Sequence, residues 1–397
     1  MGRVIASLNA GSSSIKFALF HVGQDEFALA ASGKVEGIGT APHLVAHDAA
    51  GTILIERTWD GGDGLSHEAL LQELLHWAAG HLPEHEIVAV GHRVAHGGLR
   101  FGQPALVDDA LLAALEMLCP LVPLHQPHNL AVIRAIRALR PELPQIACFD
   151  TGFHQGRPEV ATRFALPRAL HDRGIRSYGF HGLSYEYIAH RLSKTEPAFA
   201  GKRLIVAHLG NGASLCAMHA GKSVDTTMSF TALDGLVMGT RCGTIDPGVL
   251  LYLQTQDGKS VTELETLLYS QSGLLGVSGV SSDMRVLHAS SDPHAIEAID
   301  LFVWRAAREA GALISSLGGI DGLVFTAGIG ENDPVIRAAI CERLAWTGLI
   351  IDAEANRRNA TTINATGSSV AVRVIPTDEE RMIAMHAVAF VMPAQRA

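Results

Sequence analysis

Lysine is scarce in this sequence: of 31 lysine and arginine residues in 397, lysine occurs only at 16, 34, 194, 202, 222 and 259. No basic run forms, and the 40 acidic residues leave a net charge of −9. A nucleic-acid footprint and a polybasic membrane anchor are therefore both disfavoured. No apolar stretch approaches the roughly 20 residues that span a bilayer. The opening MGRVIASLNAGSSS interrupts its apolar run before a signal-peptide core can form. Cysteine is also sparse. Cys119, Cys148, Cys216, Cys242 and Cys341 are odd in number and include no CxxC pair, which argues against a disulfide framework or zinc site and for reduced thiols in a cytoplasm.

What is present is an apolar fraction of 48%, that of a globular chain, in a length that suggests two or three domains. Two segments share one plan. VIASL–NAGSSS–IKFALF and LIVAHL–GNGAS–LCAMHAG each read as strand, small polar turn, strand. Their separation by about half the chain suggests two domains of one design. Helical spacing marks Glu68–Ala79, Asp108–Leu118, Asn129–Leu139, Ser184–Leu192 and the long Ala295–Leu317, stopped by Gly318-Gly319. Strands such as IVAVGHRV, PQIACFD and DGLVFTAGIG alternate with them. The reading is an α/β protein with sites beyond the carboxyl ends of strands and two domains packed around a cleft.

Three glycine turns stand out: NAGSSSIK, HLGNGAS and GIGEN. The first offers backbone N–H groups, hydroxyls and Lys16, which suit phosphate oxygens as well as they suit an ordinary polar hairpin. It is not a GxxxxGK[ST] loop. GIGEN is read as a turn leading to Asp333-Pro334, an N-cap with Pro at the first helical position. Arg93 in GHRVAHGG, Arg241 in MGTRCGTIDPG and Arg285 in SSDMR sit in glycine-rich or polar loops, where arginine suits bidentate grip of carboxylate and phosphate. Asp150 ends the strand QIACF and is a candidate catalyst or magnesium anchor.

NAGSSSIK, GHRVAHGG, FDTGFH, YGFHGLS, HLGNGAS, MGTRCGTIDPG, GVSGVSSDMR, FTAGIGEN and PTDEE, running in order from Asn9 to Glu380, together resemble the acetate kinase family. The resemblance implies two duplicated ribonuclease H-like (actin-like ATPase) domains with a nucleotide cleft between them, residues 1–149 plus about 381–397 forming one domain and 150–380 the other. It also implies a cytoplasmic homodimer, independent of nucleic acid and membrane, that transfers the γ-phosphoryl of ATP to acetate with Mg²⁺, or possible Mn²⁺, as cofactor. Carried over by residue, Asn9 and Glu379 would hold the metal. Lys16 and the turn His208, Leu209, Gly210, Asn211, Gly212 would meet the ATP phosphates. Asp283, Met284, Arg285 and Gly328, Ile329, Gly330, Glu331, Asn332 would line the nucleotide pocket. Arg93 would bind the carboxylate, with Asp150, His181 and Arg241 catalytic. Ala95, Leu124, Phe180 and Ala232 would surround the acyl group, and Ala stands at 95 and 232 where Val and Pro are common. Asp378, Tyr185 and Thr244 depart from the family pattern of Asn, His and Asp. A propionate or butyrate kinase is the close alternative. An ATP-driven binding protein on the chaperone or actin plan is the distant one, and a sugar kinase leaves Arg93 without a role.

Overall fold

The computed structural model describes residues 2–392 apart from 12–13, 24–26, 60–64, 66 and 82–83. Ser12 and Ser13 of the first hairpin turn therefore lie outside the described residues. The chain divides into two compact units, Met1–Gly152 with Asp378–Ala397, and Phe153–Thr377.

The first unit carries β1 (Gly2–Ala10), β2 (Ser14–Val22), β3 (Phe27–Glu36), β4 (His43–Asp48), β5 (Ile53–Thr58), β6 (His85–Val94), β7 (Ala105–Leu106) and β8 (Gln145–Phe149). They form one sheet in the order β5-β4-β3-β2-β1-β6-β8-β7. β1 to β3 run antiparallel in sequence, whereas β6 lies parallel to β1 and β8 parallel to β6. The parallel strands are covered on both faces, so β8 is buried along its whole length, while edge strand β5 stays largely open. Helices His67–His81 and Gln126–Leu139 supply crossovers, the latter burying Leu130, Ile133 and Ile136 at helical spacing.

The helix Glu379–Val391 belongs to this unit and packs on β1, β2, β6 and β8 through Met382, Ile383, Ala384 and Ala387. Glycine at 91 permits that approach. A Cβ there would lie 2.5 Å from Ile383 Cγ2 and 3.1 Å from the Ile383 carbonyl oxygen.

The second unit repeats the plan with β9 (Arg203–Leu209), β10 (Ala213–His219), β11 (Lys222–Thr226), β12 (Gly322–Thr326) and β13 (Ala371–Val374), ordered β11-β10-β9-β12-β13. β9 to β11 are antiparallel neighbours, and β12 and β13 add in parallel on the far side of β9. Relabelled from each start, both cores read 3-2-1-4-5 with the same pattern of directions. That repetition is the duplicated actin-like ATPase architecture.

The helix Pro293–Leu317 crosses this second sheet. Asp292 caps its start by accepting from His294 N, Pro293 follows, and Gly318 ends it at φ 68°. Ala295, Ala298, Phe302, Ala306, Ala310 and Leu313 form its buried stripe. At the end of β12 the structure corrects one expectation. Gly328–Asn332 is no glycine turn: Ala327–Asn332 already coils as a short helix, entered through Ala327 at φ 64°. Glu331 stabilises that tight entry by accepting from Ala327 N at 2.7 Å and Thr377 N at 3.0 Å. The second helix begins where expected, with Asp333 accepting from Val335 N and Ile336 N.

Candidate active-site residues

In the first unit, β1, β6 and β8 end together, and the helix Glu379–Val391 starts beside them. Asn9, Arg93, Asp150 and Glu379 meet there. Arg93 donates from Nε and Nη2 to Asp150 Oδ2 at 3.0 and 2.5 Å, and from Nη1 to Asn9 Oδ1 at 3.3 Å. The Asp150 side chain is 1% exposed and that of Arg93 is 15% exposed. Burial alone would weaken the Arg93 cation, yet Asp150, Glu379 and Glu380 together hold its pKa above the ordinary value. Glu379 feels the opposite balance. Burial and then Asp150 push its carboxyl up to about 7, against the pull of Arg93 and Lys16.

Asp150 Oδ1 is buried and has no hydrogen-bond partner among the described residues. An orphaned carboxylate oxygen beside an amide oxygen and a second carboxylate is a donor set suited to a hard divalent cation. Lys16, on β2 opposite Asn9, borders a separate cavity of about 400 Å³ with Lys34, Asp378 and Glu380. Ala95 is buried and its N–H donates to Asn129 Oδ1, whereas Leu124 is exposed.

In the second unit, His181 caps the helix Gly182–Thr195 in a left-handed conformation, φ 56°. Such a backbone is strained for a non-glycine residue and needs support from its surroundings. His154 provides it: its Nε2 donates to the Phe180 carbonyl at 2.9 Å, and its Nδ1 accepts from Ser223 Oγ at 2.8 Å. Burial, with Arg157 nearby, pushes the pKa of His154 down to about 3, which keeps the ring neutral for this pair of bonds. The His181 ring stacks on His208 with centroids 4.1 Å apart, and His208 Nδ1 meets Ser184 Oγ at 2.8 Å.

The turn after β9 explains its glycine. A Cβ on Gly212 would stand 3.1 Å from Arg241 Nη2 and 3.3 Å from His181 Nε2, so both nitrogens face one point above the Gly212 backbone. Arg241 is steadied by donating to the Ala232 carbonyl at 2.6 Å, and its loop is tied to the turn by Gly239 N donating to Asn211 O. Ala232 and Phe180 are buried.

A cavity of about 860 Å³ opens at the carboxyl ends of parallel β9 and β12, a volume within the usual range for bound small molecules. Gly210, Asn211, Asp283, Met284, Arg285, Gly328, Ile329 and Asn332 line it, as do Ser282, His288 and Asp333. His208, Leu209, Gly212, Gly330 and Glu331 do not. Arg285 holds Asp283 at 2.6 Å, and this hydrogen bond lowers the pKa of the Asp283 carboxyl. His288 Nε2 reaches Asp333 Oδ2 at 2.8 Å. Nothing local in the sequence marks His288, because its partner lies 45 residues away. Ser214 carries a fainter signal, since a hydroxyl within the fully buried run of β10 implies a buried partner.

The duplicated fold, the guanidinium–carboxylate cluster of one unit and the nucleotide-sized cavity of the other define a phosphotransferase of the actin-like ATPase class. The chain belongs to the acetokinase family, whose model matches residues 4–385. It is 52% identical over 391 residues to an acetate kinase of Rhodopseudomonas palustris, covering 97% of this chain and 98% of that one. It is similar in structure to a propionate kinase from Francisella tularensis, with TM-score 0.89, 39% identity and coverage of 97% and 98%. A Porphyromonas gingivalis acetate kinase matches with TM-score 0.87, 35% identity and coverage of 98% and 100%.

Proposed function

We propose that this protein is an acetate kinase, transferring the γ-phosphoryl of ATP to acetate and giving acetyl phosphate and ADP reversibly. The observation that carries the reading is its agreement, over nearly the full length, with proteins named for that activity. The side chains supply the physics. A short carboxylic acid has a pKa near that of Glu, about 4.3, and is ionised at neutral pH. The nucleophile therefore needs position and relief from repulsion, not deprotonation. Arg93 binds the carboxylate, while His181 and Arg241 place donors where charge spreads over the transferring phosphoryl. Asp150 fixes the Arg93 guanidinium and is not an obligatory base.

Asn9 and Glu379, with Asp150 Oδ1 beside them, would hold Mg²⁺ or Mn²⁺. When bound, that ion supplies positive charge toward the phosphate oxygens. The cavity bordered by Asp283, Met284, Arg285 and Ile329 takes the nucleotide, with the Gly210–Gly212 turn toward its phosphates, and Lys16 is the phosphate-binding lysine that the family resemblance implies. A homodimer in the cytoplasm accords with the family resemblance. None of the five described cysteines is in a disulfide, and no helix among the described residues is long and apolar enough to cross a membrane.

Propionate is the second reading, favoured by the small Ala95 and Ala232. One methylene in an apolar pocket changes selectivity by roughly 1–3 kcal/mol. The test is kcat/KM for acetate and propionate, read as acyl phosphate trapped by hydroxylamine. Acetate turnover supports the first reading. Propionate exceeding acetate, with Ala95→Val reversing the order, supports the second. ATP hydrolysis without any acyl phosphate refutes both.

A further inference from the structure

Behind His181 lie two hydroxyls that the reaction itself does not use. His181 Nδ1 stands 2.8 Å from Ser214 Oγ, and Ser214 Oγ stands 2.5 Å from the Tyr185 hydroxyl. Ser214 and Tyr185 are both fully buried. The Tyr185 ring is seated between Phe153, His154 and His208, with centroids 6.4, 5.6 and 6.3 Å away. Among the described residues, Ser214 Oγ is the hydrogen-bond partner of the phenol.

We propose that Tyr185 and Ser214 form a relay that fixes the His181 proton on Nε2, so that His181 meets the transferring phosphoryl as a neutral N–H donor. The relay deepens the kinase reading and rests on it for the role of His181. Proton counting carries the inference. The chain Tyr185–Ser214–His181 contains two hydrogen bonds, which take two protons, and the two hydroxyls already supply both. Tyr185 donates to Ser214, Ser214 donates to Nδ1, and every group is satisfied. A proton on Nδ1 would be a third. It would leave one hydroxyl hydrogen buried without an acceptor, a state that native structures avoid. Loss of the phenol proton is no escape, because burial raises the Tyr185 pKa well above its ordinary value.

The bare Nδ1 requires the ring proton to sit on Nε2, the nitrogen that faces the space above Gly212 beside Arg241 Nη2. Tyr185 is thus a positioning residue that acts through Ser214. A phenol suits this role because at neutral pH it carries one proton and no charge.

The test is nitrogen NMR of the full-length protein labelled in its histidine rings, with the His181 signals assigned by their loss in His181→Gln. The relay predicts one neutral tautomer in the wild type, protonated on Nε2. Tyr185→Phe keeps the ring and removes one proton of the chain. The one remaining hydrogen bond still takes the one hydroxyl proton left, so the Nε2 form persists there, whereas Ser214→Ala leaves Nδ1 without a donor and a second, Nδ1-protonated form appears. In that variant kcat falls about two- to tenfold, the worth of a hydrogen bond, while KM for acetate changes less. A wild-type His181 protonated on Nδ1 overturns the proposal without recourse to any variant's folding. So does a Ser214→Ala spectrum that keeps the single Nε2 form. If the spectra are as predicted but His181→Gln retains wild-type kcat, the relay stands and the part given to His181 at the phosphoryl group falls.

Discussion

At the end of β6, Arg93 is held by one oxygen of Asp150 and by Asn9. Its remaining capacity suits a carboxylate ligand. Arg93→Ala should cost charge-assisted bonds of about 1.5–3 kcal/mol, seen chiefly as a rise in KM for acetate. Arg241→Ala should instead lower kcat far more than it raises KM, since its Nη2 faces the same point as His181 Nε2. Steady-state kinetics of the two variants separates these outcomes, and wild-type constants in either would remove that arginine from the reaction. Asp150→Asn addresses the proposed absence of a base. Its activity should stay low as pH rises, whereas recovery in proportion to hydroxide would restore the base role. The residue types were legible in the sequence as Arg, Asp and His in glycine-flanked loops. Their partners were not: Asn9 lies 84 residues from Arg93, and Ser214 lies 33 from His181. Pairings at such distances become visible only when the fold brings strand ends and a helix start together.

Among the elements, those with strong local punctuation were the ones readable in advance. Both hairpins and the long helix, read as Ala295–Leu317 and observed as Pro293–Leu317, follow from turn glycines, helical spacing and a left-handed glycine stop. Gly328–Asn332 misled for a physical reason. Its glycines suggest a turn, but the Glu331 carboxylate satisfies the amide of Ala327 and stabilises a helical turn at the strand end. The seat of the Glu379–Val391 helix depends on Gly91, whose role no local pattern announces. Gly91→Ala should overpack the contact with Ile383 and destabilise the protein by about 1–3 kcal/mol. Because that helix begins with Glu379, activity should fall with stability. Urea denaturation and kinetics of the variant check this, and an unchanged midpoint would show that the helix can shift without penalty.

For the whole molecule, both units bury neutral histidines. Burial lowers the pKa of His92 and His96 to about 4 and, with Arg157, that of His154 to about 3. The unfolded chain takes up protons near pH 6.5 that these folded rings refuse. Their contribution is therefore complete above that pH and is lost as pH falls toward 4. Glu379 opposes them, since its raised pKa favours the folded state as pH drops below about 7. Three depressed groups against one raised group predict a melting temperature lower at pH 5 than at pH 7, and a higher one would contradict the balance. The central claim, that an ionised carboxylate takes the phosphoryl directly, has a more direct measurement. Acetate labelled with heavy oxygen in its carboxylate is incubated with ATP, Mg²⁺ and the protein, and the products are followed by phosphorus NMR. The account predicts acetyl phosphate with the label in the oxygen that bridges carbon and phosphorus, formed in step with ADP. ADP and unlabelled inorganic phosphate, with no acetyl phosphate, would contradict it.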